Sequence, residues 1–179
     1  MYHPAAAENL TIGAEIGQRY DAPTHARSSL VTPAIRLATS ADAAIIAEFN
    51  QRLAAETEDK TLPAQLIRPG VLALLADAER GRYFVAELEG RVVGQLMITY
   101  EWSDWRNGLF WWIQSVYVTP AARRNGVFSA LYRHVAARAR ESGACGIRLY
   151  VESANSPAQQ TYRAMGMNNT TYRVMEEEF

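Results

Sequence analysis

The chain has 179 residues, of which 49% are hydrophobic and 21% charged, and its formal net charge is −1. This is the composition of a folded globular domain without the broad positive field of nucleic-acid-binding proteins, so we expect no nucleic-acid partner. The single cysteine excludes an internal disulfide and a multi-cysteine metal site, and we expect no metal.

The N-terminal segment, residues 1–33, mixes Ala, Gly, Pro, His and Ser without sustained periodicity, and we expect an irregular arm. Such an arm could wrap over a second subunit, which leaves a homodimer as one possible assembly. It lacks the apolar core of a signal peptide, and no run in the chain approaches the roughly 18 apolar residues that span a bilayer. We therefore expect a cytoplasmic protein without a membrane partner, whose folded domain occupies residues 34–179.

The folded domain is predicted to begin with a short strand over residues 34–38. A helix follows, with Ile46 and Phe49 on its buried face. Pro63 is typical of a helix start and predicts a second helix, which Pro69 should interrupt because proline lacks a backbone N–H.

Residues 81–102 alternate like two strands joined by a tight turn, and an aromatic-rich hairpin follows. Asn107 and Gly108 favour a two-residue type I′ turn, in which both central residues have positive φ. Counting outward from that turn places Glu101 opposite Gln114 and on the same sheet face as Trp112.

The stretch around residue 120 reads as strand, turn and helix. Alternating apolar residues lead to Val118, Pro120 ends the strand, and the sequence Arg-Arg-Asn-Gly over residues 123–126 opens a helix that should end near Ser142. The first N–H groups of a helix have no intrahelical partner, Gly126 lets a phosphate approach the backbone, and the two arginines favour negative charge. This turn predicts an anion site.

The C-terminal part predicts a strand over residues 147–152, a helix over 156–165 and a last strand over 170–175. The order β-α-α-β-β-β-α-β-α-β is typical of a mixed α/β sheet with helices on both faces.

Two motifs identify a family, and they are Arg123-x-x-Gly126-x-Phe128 and Asn155-x-x-Ala158-x-x-x-Tyr162. In these the chain resembles the GNAT superfamily of acetyl-CoA-dependent N-acetyltransferases, over roughly residues 34–178. The resemblance implies an acyltransferase with acetyl-CoA as cosubstrate and a mixed, mostly antiparallel sheet. Phe128 departs from the family's Gly or Ala, so either the backbone approaches the cofactor less closely there or the ring points into the core.

The resemblance also implies how acetyl-CoA is held. Backbone N–H groups would cradle the pyrophosphate, and their residues are Arg123, Arg124, Asn125, Gly126, Val127 and Ser129. The backbone of Val116 and Val118 would pair with the pantetheine arm like an added strand, and the Val116 N–H would polarise the thioester carbonyl. Asn155 would hold the far side of the arm.

Tyr162 is the expected general acid. With a reference pKa of about 10 it is protonated at neutral pH, and protonating a thiolate of pKa about 8.5 is uphill by only roughly 2 kcal/mol. The alternative is that Tyr162 only packs its helix against the sheet.

Glu101 is the expected general base. Histone-modifying members of the family carry a base glutamate on this strand at the position that aligns with Trp112, and Glu101 is the only carboxylate predicted on that face. A bulge would put Asp104 there instead. A carboxylate attracts a protonated amine, with Glu56 and Glu58 adding negative potential, so we expect a small cationic amine as acceptor. The alternative function is a non-catalytic acyl-CoA-binding or regulatory domain.

Overall fold

A five-stranded sheet forms the centre of the part of the chain that the computed structural model describes, residues 32–177 and 179. Its strands lie side by side in chain order, and they are β1 (Ala34–Leu37), β2 (Arg82–Leu88), β3 (Arg91–Ser103), β4 (Gly108–Val118) and β5 (Gly146–Leu149). Neighbouring strands are antiparallel except for β4 and β5, which are parallel. The predicted arm over residues 1–33 lies outside the described residues except for its last two positions.

Helices cover both faces of this sheet, and they are α1 (Ala43–Glu58), α2 (Ala64–Ala76), α3 (Val127–Glu141) and α4 (Ser156–Ala164). Successive residues of β3 show the two faces, because Leu96 and Ile98 are fully buried in the cluster that includes α3, while Met97 packs against the cluster of α1 and α2. The predicted mixed α/β fold, mostly antiparallel with helices on both faces, is confirmed. None of the described helices combines the length and apolar composition needed to cross a membrane.

The predicted interruption of the second helix at Pro69 is wrong. Helix α2 runs through this proline without a break. Val71, only 2% exposed, packs with Ile67 and Leu74 in the apolar cluster that α2 shares with α1. Burial of this stripe outweighs the one backbone hydrogen bond that Pro69 cannot donate.

The predicted two-residue turn between β3 and β4 is also wrong. The strands are joined by a four-residue loop, in which Asp104–Arg106 form one turn of 3-10 helix and Asn107 is left-handed at φ 48°. The Asn107 N–H closes the loop on the Asp104 carbonyl at 3.3 Å. Gly108 has no positive φ, but a Cβ there would lie 2.7 Å from the Cys145 sulfur, so any larger residue would force that side chain to move.

The longer loop changes the register of the hairpin. Glu101 lies opposite Phe110, where the two-residue turn predicted Gln114. Because the displacement is an even number of residues, Glu101 stays on the predicted face of the sheet, and Trp112 remains on that face opposite Thr99. Asp104 lies in the loop.

The last predicted strand, over residues 170–175, does not form. These residues are irregular, and Tyr172, Val174 and Met175 are 66% to 95% exposed. Their alternating pattern is compatible with a strand, but these residues pair with no edge of the described sheet, whose last strand is the four-residue β5.

Candidate active site

A gap opens between β4 and β5, the last two strands of the described sheet. The two strands pair from Phe110 and Gly146 as far as Ile113 and Leu149, whereas β4 continues to Val118. On the side away from β3, this last part of β4 has no strand beside it among the described residues. Its backbone is therefore open to an extended ligand at Val116 and Val118, although the Val118 carbonyl already accepts a hydrogen bond from the Arg123 Nε.

A β-bulge bends β4 within this segment. Gln95 pairs with Tyr117 and Met97 pairs with Gln114, so that two residues of β4, Ser115 and Val116, lie opposite one residue of β3. Ser115 has φ 47°, a left-handed conformation that few residues other than glycine adopt. No Gly, Asn or Asp marks this position, and sequence reasoning missed the bulge.

The turn between β4 and α3 contains two left-handed residues, Arg124 at φ 64° and Gly126 at φ 77°, and it leads directly into the first turn of α3. The Ala130 N–H donates to the Gly126 carbonyl at 3.0 Å, while the N–H groups ahead of it in the helix start have no intrahelical partner. A Cβ at Gly126 would meet nothing within 4 Å, so the space above the turn is open.

The residues predicted to cradle a pyrophosphate are all brought together at this turn and in the first turn of α3, and they are Arg123, Arg124, Asn125, Gly126, Val127 and Ser129. The Arg123 side chain, however, is directed to the α1 side. Its Nε donates to the Val118 carbonyl at 2.9 Å, and its guanidinium binds Glu56 and lowers the pKa of that carboxyl. Arg123 can therefore offer an anion its backbone but not its side-chain charge.

Helix α4 carries the two remaining predicted residues of the cofactor side. The Asn155 Oδ1 accepts from the Ala158 N–H at 3.1 Å and caps the helix, which leaves the side-chain NH₂ as a donor. The Tyr162 ring meets the Phe128 ring edge-on, with centroids 5.6 Å apart. Burial raises the pKa of Tyr162, so its hydroxyl is protonated at neutral pH.

Phe128 packs against the core cluster around α3, and its ring also contacts Tyr132. Of the two interpretations of this departure from the family motif, the structure supports the second, in which the ring points inward. The backbone at the start of α3 remains accessible as a result.

Glu101 lies on the face of the sheet opposite to Phe128 and Tyr162, and its carboxylate accepts hydrogen bonds from two donors. The Arg148 Nη1 donates to its Oε1 at 2.6 Å, and the Trp112 indole N–H donates to its Oε2. The Arg148 guanidinium also lies over the Phe110 ring at 3.8 Å, and Trp112 stacks on the half-exposed Tyr150 ring at 4.4 Å. Sequence reasoning missed Arg148, because only the pairing of β4 with β5 brings it next to Trp112.

A buried polar network lies beneath the bulge, and sequence reasoning missed it as well. The Gln95 Nε2 donates to the Asn50 Oδ1 at 2.6 Å and to the Ser115 carbonyl at 3.2 Å. The Asn50 Nδ2 donates to the Tyr83 hydroxyl at 3.0 Å. Gln95 is 0% exposed, and its Oε1 has no hydrogen-bond partner in the described part of the chain.

No cluster of three or more His, Cys, Asp or Glu side chains is placed to hold a metal ion within residues 32–177 and 179. The gap offers the backbone N–H groups of β4, and Tyr162 packs on Phe128 at the start of α3. The Glu101 carboxylate, by contrast, lies beside the paired part of the two strands, bound to Trp112 and Arg148.

Comparison with known proteins gives similarities over most of this chain. The model of the Acetyltransferase (GNAT) family matches residues 44–167. A possible acetyltransferase from Clostridium difficile 630 is 44% identical, with a TM-score of 0.78 over 83% of this chain and 98% of its own. An acetyltransferase from Clostridium acetobutylicum, solved with acetyl-CoA, is 16% identical and shares the fold, with a TM-score of 0.67 over 81% of this chain and 96% of its own.

A curated relative is also similar in sequence. Streptothricin acetyltransferase from Streptomyces lavendulae is 34% identical over 90 residues, which are 50% of this chain and 46% of that protein. The chain thus matches slightly less than half the length of this relative.

Proposed function

The chain belongs to the GNAT acetyltransferase family and is an acyltransferase, and we propose that it moves the acetyl group of acetyl-CoA directly to the amine of a small cationic molecule. The observation that carries this proposal is the junction of an open strand edge at β4 with the open helix start at Gly126. The edge suits an extended amide-containing arm, and the turn suits a pyrophosphate.

Acetyl-CoA would be bound mainly by the backbone. Its pyrophosphate would lie over Gly126, where the free space and the helix start favour an anion. Its pantetheine arm would run along β4 at Val116 and Val118, with the Asn155 NH₂ group on the other side of the gap. The exposed Arg124 side chain would add positive charge that Arg123, bound to Glu56, does not supply.

The chemical step needs a polarised carbonyl and a neutral amine. The Val116 N–H would donate to the thioester oxygen, which gains negative charge as the amine nitrogen attacks the carbonyl carbon. The carbon–nitrogen bond forms, the carbon–sulfur bond breaks, and the CoA thiolate leaves with the electron pair. An ammonium nitrogen loses two protons on the way to the amide: Glu101, directly or through a water, would take the first and give the neutral amine, and the second would replace the proton that Tyr162 gives to the sulfur.

Tyr162 would then give its proton to the departing sulfur. Burial raises the pKa of Tyr162 and thereby makes the hydroxyl a weaker acid, but the same water-poor surroundings also raise the pKa of a thiol. The mismatch of roughly 2 kcal/mol between the reference pKa values therefore remains a small part of the barrier.

Glu101 would receive the amine on the other face, with the aromatic rings of Trp112 and Tyr150 beside it. Each carboxylate oxygen has a second lone pair, so Glu101 can accept from an ammonium while bound to Trp112 and Arg148. The negative charge of Glu101 is nevertheless partly compensated by its ion pair with Arg148. Glu56 and Glu58, expected to add negative potential, are themselves ion-paired with Arg123 and Lys60.

The proposal is tested by acetyl-CoA consumption across a panel of small cationic amines, aminoglycosides, amino acids and peptide N-termini. Streptothricin belongs in the panel because a relative is named for its acetylation. We expect turnover with cationic amines and little with anionic ones, and a preference for anionic acceptors would contradict the acceptor assignment. The comparisons favour an enzyme over a non-catalytic acyl-CoA-binding domain. If the protein binds acetyl-CoA but turns over none of the amines, the non-catalytic domain becomes the better hypothesis.

A further inference from the structure

We infer that Gln95 is a positioning residue for acetyl transfer, because it fixes the direction of the Val116 N–H. The inference rests on the proposed function of that N–H as the donor to the thioester oxygen. Gln95 itself is fully buried on β3 and would not touch the substrate.

The geometric link is a single peptide unit. The carbonyl of Ser115 and the N–H of Val116 belong to the same planar trans peptide, so they point in opposite directions. The Gln95 Nε2 donates to that carbonyl at 3.2 Å. The same Nε2 donates to Asn50 of α1, so the Gln95 side chain lies on the α1 face of the sheet. The Ser115 carbonyl is therefore directed to that side, and the Val116 N–H is directed away from it.

A bulge needs such a constraint more than a regular strand does. Ladder hydrogen bonds hold regular strands, but the ladder is locally disrupted at a bulge. Ser115 is also held at φ 47°, and a non-glycine residue in this region costs about 1–3 kcal/mol and persists only where its surroundings enforce it. Without the bond from Gln95, rotation of this peptide would turn the Ser115 carbonyl toward the gap and oppose the developing negative charge.

The Gln95 amide cannot easily flip. Its NH₂ group faces two acceptors, the Asn50 Oδ1 and the Ser115 carbonyl, and a flipped amide would set an oxygen against both of them. Asn50 is fixed in turn by its own donation to the Tyr83 hydroxyl at 3.0 Å. The network thus extends from α1 and β2 to the bulge.

The same arrangement leaves the Gln95 Oε1 buried and without a partner among the described residues. Burying an unsatisfied acceptor destabilises a fold. An apolar side chain of equal size would avoid this cost, but it would leave the Asn50 Oδ1 and the Ser115 carbonyl without their donor. The glutamine therefore satisfies two acceptors at the expense of one, and one of the two is the carbonyl of the peptide whose direction matters.

The test uses Gln95→Met, which keeps the side-chain volume and removes both hydrogen bonds. We expect kcat to fall at least about tenfold while the KM for acetyl-CoA changes little, since a displaced donor weakens only the transition state. Val71→Ala is the matched control, because it also removes buried contacts but lies on α2 away from the bulge. It should lower the melting temperature and leave kcat unchanged, and equal kcat in wild type and Gln95→Met would overturn the inference.

A second measurement separates this inference from the proposed function. The residual dipolar coupling of the Val116 N–H bond in the ligand-free protein reports its direction without any turnover. We expect this coupling to differ between wild type and Gln95→Met and to be the same in Val71→Ala. An unchanged coupling in Gln95→Met would overturn the role of Gln95 even if the enzyme is active. If wild type acetylates no amine, the proposed function fails. The coupling would still show whether Gln95 fixes the direction of the Val116 N–H.

Discussion

The rings of Tyr162 and Phe128 meet edge-on, with centroids 5.6 Å apart and planes inclined by 75°. This contact joins α4 to the start of α3, and it holds the proposed general acid against the helix whose N-terminus would bind the cofactor. The contact uses the aromatic ring of Tyr162, so the hydroxyl can be removed without losing it.

We therefore expect Tyr162→Phe to preserve the fold and the affinity for CoA while lowering kcat by roughly 10²-fold or more, the usual contribution of a general acid. Rapid-quench or steady-state kinetics with acetyl-CoA would measure the loss. It should shrink with a thioester whose leaving group is a stronger acid. Tyr132→Phe removes a hydroxyl on the other side of Phe128 and should be nearly silent, and an undiminished kcat in Tyr162→Phe would show that Tyr162 only packs.

Gly126→Val should weaken CoA binding at least about tenfold, or about 1.4 kcal/mol, as measured by calorimetry. A valine there would fill the open space above the turn and keep a phosphate from the backbone. Gly143→Val is a matched control, because Gly143 has nearly the same φ, 73° against 77°, and a similarly open surrounding at the other end of α3. Both variants should lose stability through backbone strain, and equal CoA affinities in the two would refute the cradle.

Removing the charge of Glu101 and removing the charge of Arg148 should change kcat/KM in opposite directions. Glu101→Gln should lower kcat/KM for a cationic amine, whereas Arg148→Gln should raise it by removing the charge that compensates Glu101. Steady-state kinetics at saturating acetyl-CoA would compare them, with CoA affinity unchanged in both. Changes in the same direction for the two variants would contradict an electrostatic role in binding the amine.

The stability of the protein should depend on pH through Asp42. Its carboxylate accepts two hydrogen bonds from Arg36 at 2.8 Å and one from the Thr39 N–H, and the Arg36 guanidinium lowers the pKa of Asp42 from 3.8 to about 2. A pKa that is lower in the folded state gives stability that is present above pH 4 and is lost as the pH falls toward 2. The size is roughly 2 kcal/mol.

Urea unfolding at pH 7, 5 and 3.5 would test this dependence. Asp42→Asn should lower the free energy of unfolding at pH 7 and pH 5, and its difference from wild type should shrink at pH 3.5. Asp77→Asn, which removes the carboxylate of an exposed pair with Arg80, should have little effect at any of these values. A difference between wild type and Asp42→Asn that does not vary with pH would exclude the ion pair as its cause.

The sequence predicted those features that depend on neighbouring residues along the chain. Helix α3, the turn of residues 123–126 that opens it and the strand before it follow from local apolar periodicity and from the position of one glycine. The turn proposed to bind the pyrophosphate is therefore encoded in consecutive residues, and that is why its backbone was more predictable than the hairpin around Glu101.

Features that depend on strand register were not predictable in this way. Arg148 reaches Glu101 only because β5 pairs in parallel with β4, and Gln95 reaches Ser115 only because β4 gains a residue at the bulge. No turn residue in the sequence indicates the parallel pairing of β5 with β4 or the bulge at Ser115. Pro69 shows the converse, since a strong local signal was overridden by the packing of α2 on α1.

The open edge of β4 has a consequence for handling the purified protein. A row of unpaired backbone groups along the edge of a strand is a template on which a strand of another molecule can add, which is how many proteins begin to aggregate. The bulge at Ser115 interrupts this template but does not cover it. A ligand lying along Val116 and Val118 would cover it, so light scattering of concentrated samples should rise more slowly in storage when CoA is present than when it has been dialysed away.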